Sequence, residues 1–317
     1  MTVPTTFANL PSKVQLLIGS SLHPHTLSIC VRVSKAWQTL FNPLLWRRVQ
    51  ESRLTWDGKP TNLDVSWENC FVTCLTEGAL LKNGHLVEFL KLDSDNDHFL
   101  AQLLEYTPKN YPRLHSAEFG DIQGHDELIA EFINRGKAGW RTLCFRMYEM
   151  DEFVFFGTRS ARAILKHAET LEVLRIGHAP FLKSKYIQRL LSSAPNLKTL
   201  YLLGYERLMD GPDTTLNAYD AASSEWVCTN LEVFGCHIGG IPRPDITRDI
   251  AGYPPEEFTI EGTREESIAL QRRVYTQLGR LTKLRELTLG SPYTDGEEAD
   301  IELRRNMPFR HFDCLAL

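Results

Sequence analysis

From residue 85 onward one short phrase recurs: an apolar residue, two variable positions, a second apolar residue, one variable position and a third apolar residue. Its copies are Val87/Leu90/Leu92, Leu114/Ala117/Phe119, Trp140/Leu143/Phe145, Leu171/Leu174/Ile176, Leu197/Leu200/Leu202, Leu231/Phe234/Cys236, Leu284/Leu287/Leu289 and Phe312/Leu315/Leu317. Successive copies begin 27, 26, 31, 26, 34, 53 and 28 residues apart. The last two apolar positions of each copy flank a single variable residue, which is the spacing of one buried face of a short strand. Between copies, residues 99–106, 127–134, 159–167, 184–192 and 265–278 carry apolar side chains at helical spacing. The pattern predicts helices alternating with strands, the strands stacking in parallel into one continuous apolar core that the helices roof. A doubly wound α/β domain also alternates its elements, but it does not hold an eightfold phrase at near-constant spacing.

Residues 9–49 follow a different rhythm. Pro24 and Pro43 divide them into three short helical pieces. In the first, Val14, Leu17 and Ile18, with Leu10 behind them, form a stripe at helical spacing; Leu22 follows it, and Leu27, Cys30 and Val31 repeat the spacing in the second. Ser34 is an N-cap for the third piece, which holds Trp37, Leu40 and Phe41, with Trp46 closing the end. Gly19 within a helix costs about 1 kcal/mol against alanine and predicts a weak first helix. A unit this short needs its surplus apolar surface covered, by the rest of the chain or by a partner. Residues 69–81 read as a further helix that roofs the first repeat.

Two resemblances follow. The opening segment resembles the F-box, on Leu10-Pro11, the Val14, Leu17, Ile18 stripe, Leu22, the turn from Pro24 to Leu27, the Val33-Ser34-Lys35-x-Trp37 run and the Leu45-Trp46-Arg47 exit. It departs from that family at Lys13, where an acidic residue is usual, and at Gly19, where an aromatic or apolar residue is expected. The later phrases TLEVLRIG, NLKTLYLLG, NLEVFGCHIG and KLRELTLG resemble leucine-rich repeats, without the asparagine that often follows the strand in tightly wound ones. Together they imply an α/β chain in which a three-helix F-box is followed by a leucine-rich-repeat solenoid with parallel concave strands and convex helices. The expected organisation is an F-box-like domain at 1–50, a connecting segment and first-repeat helix at 51–84, and a repeat domain at 85–317 with an insertion at 237–266.

The resemblance implies a substrate-recognition subunit of a Skp-cullin-F-box ubiquitin ligase. Leu10, Pro11, Val14, Leu17, Ile18, Leu22, Leu27, Trp37 and Trp46 would dock the Skp-type adaptor or build the local core beneath it. The adaptor would connect the chain to a cullin, and the repeat surface would bind a protein target. The alternative is a leucine-rich scaffold whose first helices only cap the array and never join a ligase.

Charge agrees with that division. Lys13, Arg32, Lys35, Arg47 and Arg48 fall in the first fifty residues and the first acidic residue is Glu51, so beyond position 50 there remain 30 basic and 40 acidic residues, a net of -10. A basic module complements an acidic adaptor, the charge expected of it from the family. Only Arg47 and Arg48 are adjacent and no aromatics are interleaved for base stacking, so nucleic acid is not an expected partner. Hydrophobic residues make up 43% and charged ones 24% of the 317, the composition of a chain that folds into globular units. Residues 14–31 are free of charge yet too polar to span a membrane, and neither a signal sequence nor an Asn-x-Ser/Thr acceptor marks secretion. A cytoplasmic or nuclear protein is expected, and membrane is not an expected partner. The odd set of Cys30, Cys70, Cys74, Cys144, Cys228, Cys236 and Cys314, in mostly apolar segments, reads as reduced core thiols.

Strand residues between the apolar positions must point out of the core. That rule nominates Lys91, Glu118, Arg146, Arg175, Tyr201 and His237, with Tyr148, His178 and Tyr205 just beyond strand ends. Arginine and aromatic side chains dominate binding hot spots, which makes Arg146, Tyr148, Arg175, His178, Tyr201 and Tyr205 the target-binding candidates. The insertion at 237–266, with four Pro, four Gly and a net charge of -4, is a candidate recognition loop. The run from Asp93 to Asp97 opens like a calcium loop but has His98 and Leu104 where glycine and glutamate are required, so it reads as a helix cap. Cys70 with Cys74, and His23 with His25, lack second ligand pairs. Phosphate-loop, nucleophile-elbow and zincin motifs do not occur. The expectation is a non-catalytic receptor without metal or cofactor.

Overall fold

A computed structural model describes residues 7–50, 78–93, 99–105, 107–120, 125–146, 156–177, 182–203, 215–239 and 264–289. The acidic run after Asp93, the reading of 69–77 as helix, Cys70, Cys74, Tyr148, His178, Tyr205, residues 240–263 and the last phrase at Phe312 lie outside the described residues.

A 3₁₀ turn at Phe7–Asn9 leads into helices α1 (Ser12–Ser20), α2 (Pro24–Cys30) and α3 (Lys35–Arg47). Pro24 sits at the first helical position of α2, where its missing N–H is harmless, and the Ser34 hydroxyl accepts from Trp37 N at 3.2 Å to start α3. The break expected at Pro43 is corrected: α3 runs through it to Arg47. An internal proline costs about 3 kcal/mol in a free helix. Here packing holds both halves, because Phe41 before it is 1% exposed and Trp46 after it lies against the central core.

Without a linker α3 becomes strand β1 (Arg48–Gln50), which pairs in parallel with β2 (Phe89–Asp93). The sheet therefore begins inside the first fifty residues. It continues through β3 (Ser116–Gly120), β4 (Thr142–Arg146), β5 (Val173–Ile176) and β6 (Thr199–Tyr201) to β8 (Val233–Gly235) and β10 (Glu286–Thr288), every neighbouring pair parallel. These strands follow one another in chain order. The middle residues of the repeated phrase form one register row, which Val49 of β1 joins: Val49, Leu90, Ala117, Leu143, Leu174, Leu200, Phe234 and Leu287. Full burial of each leucine in this row, as at Leu90, Leu143, Leu174 and Leu200, contributes roughly 1.5–3 kcal/mol.

Helices occupy the predicted intervals at α5 (Phe99–Glu105), α6 (Asp126–Arg135), α7 (Thr158–Leu165), α8 (Ser184–Leu191) and, further on, Arg264–Gly279, while α4 (Ala79–Asn83) overlaps only the end of the helix expected at 69–81 and runs past it. Helix α6 buries Ile129, Ala130, Phe132 and Ile133, and α8 buries Tyr186, Ile187, Leu190 and Leu191, so each apolar stripe is spent on the shared core. Aromatic rings join consecutive layers. Phe119 meets Phe132 edge-on at 5.0 Å and stacks on Phe145 at 5.2 Å, and Phe145 meets Phe156 edge-on at 4.7 Å. The indole of Trp140 donates to Ile133 O at 2.7 Å, so this large side chain is buried with its polar atom satisfied.

Where the interval between phrases lengthens, the chain adds strands β7 (Thr215–Asn217) and β9 (His237–Gly239), which pair in parallel, with a short helix α9 (Ala218–Ala221) between them in sequence. The segment read as an insertion thus starts in β9, and its far end enters helix α10 (Arg264–Gly279).

Candidate functional site

Two surfaces stand out. The first is built by α1, α2 and the turn before α3. Helix α1 packs on α3 through Gly19: a Cβ built there lies 2.7 Å from Phe41 Cε1 and 2.8 Å from Leu44 Cδ1. Gly19 is a notch that lets two helices approach, which explains a residue that helix propensity alone disfavours. Phe41 in turn touches Trp37 edge-on at 5.5 Å and Phe7 at 5.8 Å, while the Gln15 amide donates to the carbonyls of Phe7 and Leu10, each at 3.0 Å.

With that interior satisfied, large apolar side chains of α1, α2 and the turn before α3 are left exposed. Leu17 is 70% exposed, Val33 60% and Ile29 53%, with Val14, Leu16 and Ile18 close to 40%. Of the nine residues singled out from sequence here, Val14, Leu17 and Ile18 are among these exposed side chains and Pro11 is exposed just before α1. Leu27 is buried, and Leu10, Leu22, Trp37 and Trp46 are half-buried, with Trp46 against the central core. Leu16, Ile29 and Val33 were missed. A helical stripe marks what faces one way; it does not separate the face turned to the core from the face turned to solvent. All five basic residues of the segment are exposed. Arg47 is paired with Glu88 at 2.7 Å and Arg48 lies 4.3 Å over the Phe89 ring, while Lys13 and Arg32 are the chain neighbours of Val14 and Val33.

The second surface is the side of the sheet away from the buried row. In register it reads Gln50, Lys91, Glu118, Cys144, Arg175, Tyr201, Gly235 and Thr288. This corrects two of the nominations. Arg146 is not in the row, which Cys144 occupies; it stands one rung further on, across from Gly120. His237 is not there either: Gly235 takes the place, and His237 is 1% exposed within β9. Lys91 and Glu118 come within 3.9 Å of each other, Arg175 is exposed and Tyr201 is half-buried. A Cβ added at Gly235 would lie 2.5 Å from Tyr201 Cδ2, so the tyrosine ring lies over the bare glycine. The rung before it, Arg48, Phe89, Ser116, Thr142, Val173, Thr199, Val233 and Glu286, is mainly small, hydroxylic or β-branched.

Along one edge of the sheet runs a row that sequence reading did not find: Arg47, Glu88, His115, Arg141, Glu172, Lys198, Glu232 and Arg285. Each N–H in the row donates to the preceding member's carbonyl, at 2.7–3.1 Å. The side chains alternate largely in sign, with Arg47 on Glu88 at 2.7 Å and Lys198 on Glu172 at 2.6 Å. The Glu172 carboxylate raises the Lys198 pKa. The row ties the last helical residue of α3 to the ladder behind it.

Asp126 joins α6 to α7. Its carboxylate accepts from Gly157 N at 2.9 Å, Arg159 N at 2.9 Å, Ser160 N at 2.8 Å and the Ser160 hydroxyl. Burial pulls the carboxyl upward, but the Ser160 hydroxyl and the three N–H groups outweigh it and hold the pKa below the usual carboxylate range. The Cys228 and Cys236 thiols are both pushed up to about 12 by burial, which keeps them protonated. Among the described residues there is no group of three or more His, Cys, Asp or Glu placed to hold a metal ion, and no helix is long and apolar enough to cross a membrane.

No curated protein matches the chain. The F-box-like family model matches residues 7–52, the segment that holds α1, α2, α3 and β1. F-box domains generally bind Skp-type adaptors in Skp-cullin-F-box complexes. The chain carries an F-box-like domain at residues 7–52.

Proposed function

We propose that this chain is a non-catalytic substrate receptor of a Skp-cullin-F-box ubiquitin ligase, acting in the cytoplasm or nucleus. Its F-box-like helices grip the adaptor, and the outer face of a leucine-rich-repeat stack binds the protein to be ubiquitinated. The observation that carries the first half is the open apolar face of Leu17, Ile29 and Val33 within the family-matched segment. Apolar side chains clustered on a small helical unit mark a docking site, and exposed basic residues around it favour an acidic partner. The second half is supported by the parallel strands in chain order, each bringing the same phrase into one register row. The passage of α3 into β1 without a linker supports a receptor that holds its target at a fixed distance from the transferring enzyme.

The test is co-purification with a Skp-type adaptor. Leu17→Asp, Ile29→Asp and Val33→Asp together should abolish the complex, while thermal unfolding of the free chain moves little, because substitutions at exposed positions typically cost less than about 0.5 kcal/mol each. A triple variant that is folded and still holds the adaptor would refute the docking face.

A further inference from the structure

The outer face of the sheet has an uneven charge distribution. Glu118 is engaged by Lys91, and Glu286 lies on the last strand of the sheet order. Between them β4, β5, β6 and β8 present the half-buried Thr142, Val173, Tyr201 and Val233 over the buried Cys144, Thr199 and Gly235, with Arg175 as the charged and exposed member. Arg175 is exposed and has no ion pair among the described residues. It stands two strands from Glu118 and three from Glu286, about 10 and 14 Å at the usual strand spacing. At those distances exposed charges are largely screened. Further along β4, Arg146 is in register with Gly120. Arg175 therefore sits on a floor of small and β-branched residues, one strand from Tyr201, within a chain that carries a net of -10 beyond residue 50.

We infer that this part of the sheet receives a segment of the target protein that bears an aspartate or glutamate, with the Arg175 guanidinium taking the carboxylate. The planar guanidinium fork matches a carboxylate in two parallel hydrogen bonds, and the floor of Val173, Thr199 and Val233 accepts short side chains flanking it. The inference rests on the reading of this face as the target site and names the chemistry that the site selects.

The experiment is selection of random twelve-residue peptides displayed on phage by the full chain bound to its adaptor. Selected peptides should share one acidic position. Replacing that residue by its amide, or Arg175→Glu in the protein, should weaken binding about tenfold or more, whereas Arg272→Glu on α10, an equal charge change at another exposed site, should change it less than about twofold. Selection of no peptides, or of peptides without a shared acidic residue, by an adaptor-bound chain would overturn the inference and leave the adaptor reading standing. Acidic peptides bound equally well by the Arg175→Glu protein would overturn the placement. Phosphoserine at the acidic position binding more than about tenfold tighter than the carboxylate would overturn the carboxylate as the group selected.

Discussion

Gly19→Ala sets helix propensity against packing in the F-box-like unit. Propensity alone predicts a gain of about 1 kcal/mol, since alanine is the best helix former and glycine among the worst. The packing predicts the reverse. The new methyl would lie 2.7 and 2.9 Å from two atoms of the Phe41 ring and 2.8 Å from Leu44 Cδ1. The ring cannot turn away freely, because Phe41 is 1% exposed and is held by Trp37 and Phe7. Overpacking of this kind costs about 1–3 kcal/mol, so the net expected effect is a loss of roughly 0–2 kcal/mol. Urea unfolding followed by tryptophan fluorescence, with Trp37 beside the notch as one of six reporters, measures it. Combining Gly19→Ala with Phe41→Leu supplies the control. The smaller side chain makes room for the methyl, so the double variant should be more stable than the sum of the two single effects by about 1 kcal/mol. Stabilisation by Gly19→Ala alone, or strict additivity in the pair, would refute the notch.

Two further outcomes follow from the same kind of geometry. The Asp126 pKa is lowered in the folded chain, so as pH falls the unfolded chain takes up this proton first; the stabilisation is complete above the ordinary carboxylate pKa of about 4 and is lost as pH drops through the folded value. Asp126→Asn should therefore lower stability near neutral pH by about 1–3 kcal/mol and flatten the acid limb of a stability-against-pH curve, and an unchanged acid limb would count against the cap. Gly235→Ala should destabilise the sheet by about 1–3 kcal/mol through collision with the Tyr201 ring, and Tyr201→Ala in the same chain should remove most of that cost, read from the urea midpoint.

The apolar phrase made the long sheet legible in the sequence, because a buried strand face must repeat every second residue and each strand repeats the same solution. The helices were legible for the same reason. What escaped lacks a local signature. Strand β1 has Val49 as its single apolar residue and follows directly on a helix, so no periodicity announces it. Pro43 reads as a stop because local rules omit the tertiary contacts of Phe41 and Trp46. The charged row from Arg47 to Arg285 draws its members from positions tens of residues apart, and they become neighbours only once the strands stack. Arg146 and His237 were nominated as residues lying between the apolar positions of their phrases, and the register gives those places to Cys144 and Gly235. On the first helices the stripe was legible, but which side of it remains open depends on how α1 settles onto α3 through Gly19.

In the proposed assembly an adaptor covers the exposed apolar side chains of α1, α2 and the turn at Val33 and leaves the outer side of the sheet available. Amide hydrogen exchange of the full chain, with and without a bound Skp-type adaptor, tests this most directly. Slowed exchange confined to residues 12–33 and their immediate neighbours, with the strands from β2 to β10 unchanged, is the predicted result. Protection that falls on the strands, or an adaptor complex that leaves residues 12–33 exchanging as in the free chain, would contradict it.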